Sequence, residues 1–243
     1  MKSTACLKLA EPFRLLDFSY AHRGLWNKNG PTENSHGAYH AAANAKVGLE
    51  MDVRPSKDGV PMCFHDDTLD RMTDHNGLFA SKTAEDLTKI ALLDGTPIPR
   101  LSELLAYWPA ELPILIEMKI DGNTDPKIFT HRVSKEVNTY PGSAAIISFS
   151  ESAVSHIPKS IMRGQLVPPI EKVGNAEFQR RYAAALDSDV DFLAMHVSHA
   201  TVSKGAKLDT VCWTVRTETD RQTVKACGHA EIFEHLPVSL AAR

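Results

Sequence analysis

The stretch GLEMDVRPSKDGVPMCFHDD, residues 48–67, decides how the rest of the chain is read. Two extended apolar runs, GLEMDV (48–53) and VPMCFH (60–65), are separated only by the polar RPSKDG. A parallel crossover needs about a dozen residues or more, so this connection predicts an antiparallel hairpin turning near Lys57-Asp58-Gly59. Folding the chain there sets His65 opposite Met51 and beside Glu50 and Asp52. Side chains alternate along a strand, so Glu50 and Asp52 share one face.

Outward from that stretch, short apolar runs recur with polar, helix-like segments between them. They are FSYAH (18–22), VGLEMDV (47–53), LPILIEM (112–118), AAIISF (144–149), IMRGQLV (161–167), VDFLAM (190–195), DTVCWTV (209–215) and AEIFEHL (230–236). Helices are expected near Asn34–Ala45, Pro126–Tyr140, Asn175–Leu186 and Glu218–Cys227, with Asn34, Asn175 and Thr217 as cap-like residues. Strands alternating with helices imply a parallel sheet. Eight such units in 243 residues fit a closed (β/α)₈ TIM barrel of the α/β class, read as one domain over 1–243. The Lys57–Gly59 hairpin is extra to the eight strands. Residues 66–97, polar and without a barrel strand, form a small capping insertion after the second barrel strand, above the mouth. The words IPRLSELL (98–105) then begin a helix.

Composition narrows the partners. Hydrophobic residues make up 43% and charged residues 23%, which excludes a disordered chain. Lys plus Arg number 27 against 30 Asp plus Glu, a net charge of −3, where a nucleic-acid binder should be basic. Cys6, Cys63, Cys212 and Cys227 form no CxxC pair and read as buried or free thiols of a reducing compartment. The start, MKSTACLKLAEPF, lacks the apolar core of a signal peptide, and no run reaches the roughly 20 apolar residues of a membrane span. The expectation is a soluble, cytoplasmic protein acting on a small molecule, without stable membrane insertion.

In a barrel, chemistry gathers at the C-terminal ends of the strands. The first run ends in Ala21-His22-Arg23-Gly24, the second contains Glu50 and Asp52, and the third, ILIEMK, carries Glu117 and Lys119 on one face. Charged groups inside apolar strands are costly unless paired or metal-bound. Glu50, Asp52 and Glu117 together offer hard oxygen ligands for one divalent cation, Mg²⁺ or Ca²⁺. The alternative is ion pairing with Arg54, Lys119 or surface lysines. His22 and His65, at strand ends near the acids, can divide general-acid and general-base work near neutral pH. The planar fork of Arg23 suits phosphate. The set asks for an anionic substrate that is held, neutralised and attacked with proton transfer at both ends, which is phosphodiester cleavage.

The same words resemble the glycerophosphodiester phosphodiesterases of the phosphatidylinositol-phospholipase-C-like barrels. AHRG (21–24), PTENSHGAYHAA (31–42), GLEMDVRPSKDGVPMCFHDDTLDRMT (48–73), IPRLSELL (98–105), ILIEMKI (114–120), IISF (146–149) and CWTV (212–215) occur in family order. The resemblance implies metal-dependent hydrolysis of a glycerophosphodiester to glycerol 3-phosphate and an alcohol. It implies metal binding by Glu50, Asp52 and Glu117, an acid–base pair in His22 and His65, phosphoryl contacts from Arg23 and Lys119, and a glycerol-side wall in Trp213. A related diesterase acting on a lipid or cyclic phosphodiester and a silent phosphodiester-binding barrel are the alternatives. The likeness fades near the C-terminus. Where the family pattern ends on a segment like GxDGIITDxP, this chain has Glu234-His235 for the Thr-Asp pair, and Arg216 replaces a small polar residue. Glu33 and Asn34 are expected to fix the first loop, Asp66 to orient His65 or close a turn, and Leu78 and Phe79 to meet an apolar group or pack the insertion down.

Overall fold

A computed structural model describes residues 13–238. The readings of Cys6 and of the first dozen residues lie outside this range. In chain order the elements are β1 (Tyr20–His22), α1 (His36–Asn44), β2 (Gly48–Pro55), β3 (Pro61–Cys63), α2 (Ala84–Leu87), α3 (Leu101–Tyr107), β4 (Ile114–Met118) and α4 (Pro126–Val137). They continue with β5 (Ala144–Ser148), α5 (Glu151–Ser155), β6 (Met162–Val167), α6 (Ile170–Val173), α7 (Asn175–Asp187), β7 (Phe192–His196), β8 (Asp209–Val215), α8 (Glu218–Ala226) and β9 (Ala230–Phe233).

Eight strands form a parallel ring in the order β1-β9-β8-β7-β6-β5-β4-β2, closed by pairing of β1 with β2. Each of the eight apolar runs supplies one of them. β3 stands outside the ring and pairs antiparallel with the end of β2, Val53 facing Cys63 and Pro55 facing Pro61. This is the hairpin required by the short RPSKDG connection. Between β7 and β8 the chain makes only a 3₁₀ turn, Val197–His199, and further turns, so the seventh unit has no α-helix.

Strand parity sorts the side chains. Leu49, Met51 and Val53 of β2, with Ile114, Ile116 and Met118 of β4, join the outer core between ring and helices. Tyr20, Leu115, Ile147, Phe192, Val211 and Ile232 fill the barrel interior. Position 164 lies among these inward residues, and a Cβ there would come within 2.5 Å of the Phe192 ring. Glycine is therefore what lets the large ring occupy that layer. By the same parity Glu50, Asp52 and Glu117 face inward, near the mouth.

Two of the expected caps are corrected. Asn34 does not cap α1: its φ of +55° turns it out of line, and Ser35 accepts the N–H of Ala38 instead. Asn175 is the first helical residue of α7, preceded by Gly174 at φ +81°, and makes no cap. Thr217 does cap α8, with Asp220 completing a reciprocal pair.

Residues 66–97 carry α2 and short bridges, Thr68 to Leu78 and Thr73 to Leu92. They pack around Leu69, Phe79, Leu87 and Leu92 against Met62 and Phe64 of the hairpin. Phe79 is fully buried there, whereas Leu78 is exposed. Among the described residues no helix is long and apolar enough to cross a membrane. Cys63, Cys212 and Cys227 are free.

Candidate active site at the barrel mouth

Register brings the inward groups to one level. His22 of β1 pairs with Glu50 of β2, and Asp52 of β2 pairs with Glu117 of β4. One carboxylate oxygen from each of Glu50, Asp52 and Glu117 lies within 4.8 Å of the others. Above them opens a cavity of about 560 Å³, lined among others by His22, Arg23, His65, Lys119 and Trp213. Asp52 lies beneath this lining and is fully buried.

The three carboxylates differ in their partners. Asp52 receives Lys119 Nζ at 2.8 Å and Arg23 Nε at 3.0 Å. Asn34 also donates to it from Nδ2 at 2.9 Å, while Asn34 Oδ1 accepts the Asp52 N–H and the Tyr39 hydroxyl. Burial pushes the Asp52 carboxyl up, but Lys119 and Arg23 outweigh it and hold the group well below the usual carboxylate range. Glu117 has Lys119 Nζ at 2.5 Å. Glu50 has neither cation. Its Oε2 accepts the Arg23 backbone N–H at 3.2 Å and lies 3.9 Å from His22 Nε2. Burial and the charges of Asp52 and Glu117 push the Glu50 carboxyl well up. A buried carboxylate short of a counterion, facing two others, is what a small divalent cation would complete, and all-oxygen donors suit Mg²⁺ or Ca²⁺. The residues present therefore fit such an ion.

Arg23 and Lys119 reach the mouth already engaged with carboxylates. Arg23 Nη1 binds Glu33 Oε1 at 2.8 Å in addition to its Asp52 contact. Its backbone is strained, with φ +60°, and the next residue, Gly24, has φ +83°. A Cβ on Gly24 would collide with the Ala38 carbonyl carbon at 2.7 Å, so the loop lies directly against α1.

His65 Nδ1 contacts Asp66 Oδ1 at 2.7 Å. Asp66 is clasped by Arg71 from the insertion, through Nε at 2.6 Å and Nη2 at 2.8 Å. Arg71 also binds both oxygens of Glu33. Burial pushes Asp66 up, but its bonds to His65 and Arg71 hold it well below the usual range. Arg54 donates to the His65 carbonyl at 2.7 Å and to Asp121 at 2.9 Å, pinning the hairpin to the loop after β4.

His22 is addressed from both sides, by Glu50 and, at Nδ1, by Glu234 Oε2 at 3.5 Å. Burial disfavours the charged ring and lowers its pKa, against the upward pull of Glu234. Trp213 stands at the mouth edge-on to Phe149 and His196. His199 is buried and accepts the Ile170 N–H, and His235 packs edge-on to Trp26. Sequence reading missed Asn34, Arg71 and Glu234 as members of the site. Asn34 was visible as a cap candidate and as a residue fixing the first loop, Glu234 as a departure from a pattern, and Arg71 only as part of the word DDTLDRMT with no role of its own.

Residues 22–237 match the family model described as the glycerophosphoryl diester phosphodiesterase family. Glycerophosphodiester phosphodiesterase 1 of Rattus norvegicus is 37% identical over 70 residues, 29% of this chain and 21% of the relative. A glycerophosphodiester phosphodiesterase of Caldanaerobacter subterraneus is 39% identical over 71 residues, 29% of this chain and 28% of the relative. The chain thus aligns with less than a third of the length of these curated relatives. Among solved structures, an Oleispira antarctica phosphodiesterase in complex with the product sn-glycerol-3-phosphate has a TM-score of 0.73 at 22% identity, covering 89% of this chain and 92% of that one. A glycerophosphodiester phosphodiesterase from Thermotoga maritima has a TM-score of 0.71 at 21% identity, covering 89% and 93%. At those identities the structural likeness speaks for the barrel fold.

Proposed function

Because the chain belongs to the glycerophosphoryl diester phosphodiesterase family, we propose that it hydrolyses a small glycerophosphodiester to glycerol 3-phosphate and an alcohol, aided by one divalent cation, Mg²⁺ or Ca²⁺. The observation that carries this reading is the convergence of Glu50, Asp52 and Glu117 beneath a cavity that both His22 and His65 line. These three carboxylates would hold the ion. When bound, it would neutralise phosphoryl oxygens and the charge that develops on them during displacement.

The chain's own groups do the rest. Lys119, bridging Asp52 and Glu117, and Arg23, bridging Asp52 and Glu33, keep the acid cluster from repelling an anionic substrate, and both line the cavity where its phosphoryl oxygens would lie. In-line displacement puts nucleophile and leaving oxygen at opposite apices. One of the two imidazoles takes the proton from the nucleophile and the other returns one to the leaving oxygen. Asp66 orients His65 through Nδ1 and leaves Nε2 for the cavity. Trp213 offers a flat apolar wall to the substrate's carbon skeleton. We also take residues 66–97 as part of one phosphodiesterase unit with the barrel, since they supply Arg71, the residue that clasps Asp66.

The test is a coupled assay for glycerol 3-phosphate over a panel of head groups, with Mg²⁺, Ca²⁺, Mn²⁺ or chelator. Turnover that vanishes on chelation and returns with one of these ions is expected. Glu50→Gln and Glu117→Gln should raise the ion concentration needed for half-maximal rate. Full activity after exhaustive chelation would overturn the metal assignment, and no turnover on any diester would overturn the reaction.

A further inference from the structure

Two positions singled out in the sequence as departures from the family pattern, Arg216 and Glu234, meet each other in space. Glu234 follows β9, whose register against β1 pairs Tyr20 with Ile232 and Ala21 with Phe233. The next step along that register is His22 beside Glu234. His22 is therefore flanked by a carboxylate from each neighbouring strand. Glu50 approaches Nε2 at 3.9 Å and Glu234 approaches Nδ1 at 3.5 Å. Glu234 is buried, its backbone N–H is tied to the Val215 carbonyl at 3.0 Å, and the exposed Arg216 seats Nη2 on its Oε2 at 2.5 Å. His235 Nε2 lies 3.6 Å from its other oxygen. Burial pushes the Glu234 carboxyl up, yet the nearby His22 ring and the charge of Arg216 hold it down at about 2.

A neutral imidazole carries one N–H, and a carboxylate only accepts hydrogen bonds. An ionised Glu234 facing Nδ1 selects the tautomer that donates from Nδ1 and leaves the Nε2 lone pair at the mouth. We infer that Glu234, clamped by Arg216, is a positioning residue that fixes the His22 ring with Nδ1–H toward β9 and Nε2 toward the substrate cavity. The inference rests on the reading of His22 as one of the acid–base pair. Histidines working beside metals and nucleophiles commonly need such an outer carboxylate, and removing one typically costs 10–100-fold.

Two measurements test it. The first is the ¹⁵N spectrum of histidine-labelled protein at neutral pH, with His22 assigned by the resonances lost in His22→Asn. The wild type should show a protonated Nδ1 and a bare Nε2, and Glu234→Gln should mix the tautomers. This readout needs no turnover, so it decides the inference even if the diesterase reading fails. The second is kinetic. Glu234→Gln should lower kcat about 10- to 100-fold with KM changed less than about threefold. Glu234→Asp, which keeps the charge, should recover at least part of that loss. Arg216→Gln should cost less than the Glu234 change, and Glu234→Gln with Arg216→Gln should stay as slow as Glu234→Gln alone. A wild-type ring protonated at Nε2 would overturn the inference whatever the variants do. So would a double variant restored to wild-type rate, because Glu234 would then merely neutralise Arg216.

Discussion

His22 and His65 sit at one mouth but in different surroundings. The side chain of His22 is 11% exposed and wedged between strands, whereas that of His65 is 34% exposed and rides on the hairpin. Each has its own carboxylate, and each carboxylate its own arginine, Glu234 with Arg216 and Asp66 with Arg71. General acid–base help is typically worth about 10²–10⁴-fold, so His22→Ala and His65→Ala should each lose that much kcat while keeping the wild-type melting temperature. A diester with a good leaving group needs less acid assistance. It should restore one of the two variants and not the other, and the restored one identifies the general acid. Rates close to wild type in either variant on an alkyl diester would remove that histidine from the mechanism. At this scale Glu50, Asp52 and Glu117 were legible because period-two alternation turns a linear spacing into a shared face. Asn34 was not. Ser35 beside it is an equally good cap, and nothing local says that Asn34 adopts a positive φ and turns its amide to Asp52.

Elements were readable where length or periodicity constrains them. The β2–β3 hairpin follows from a connection too short for any crossover. The β7–β8 unit, whose strands follow from VDFLAM and DTVCWTV, dispenses with an α-helix because its connecting residues only turn. Pairings between distant strand ends left no trace, and so the contact of Arg216 with Glu234 could not be seen before β8 and β9 lay side by side. Helix α4 carries a titratable group with a readable consequence. Glu136 stands in its last turn, where carboxylates are unfavourable, and its Oε2 has no partner among the described residues. Burial raises its pKa from 4.5 to about 7. The folded protein then keeps this proton up to about pH 7 while the unfolded chain releases it near 4.5. Stability should decline as pH rises across that window. Solvent reaches part of this carboxyl and screens it, so the effect is reduced to about 1 kcal/mol. Glu136→Gln should raise the melting temperature at pH 8 and lose that advantage at pH 4. An equal gain at both values would show that charge is not the cause.

For the whole molecule, the barrel interior is a volume problem solved by pairing large with small. Phe192 on β7 leans over Gly164 on the neighbouring β6. Adding one methyl there overpacks the layer, and Gly164→Ala should destabilise by about 1–3 kcal/mol in urea titrations, with little change in the denaturant slope. A neutral result would mean that the ring shifts freely. The order of strands around the ring has another consequence, one of timing. β1, only three residues long, is held on one side by β2 and on the other by β9, the last strand described. As the chain leaves the ribosome, His22 emerges some two hundred residues before Glu234. A partly synthesised barrel can assemble β2 through β8 and still lack the wall that holds this imidazole. Contacts so distant in sequence form late, after a large loop has been closed. On the proposed reading the site is thus complete only once β9, the last strand described, has docked beside β1, and until then His22 lacks the Glu234 wall that would hold its ring.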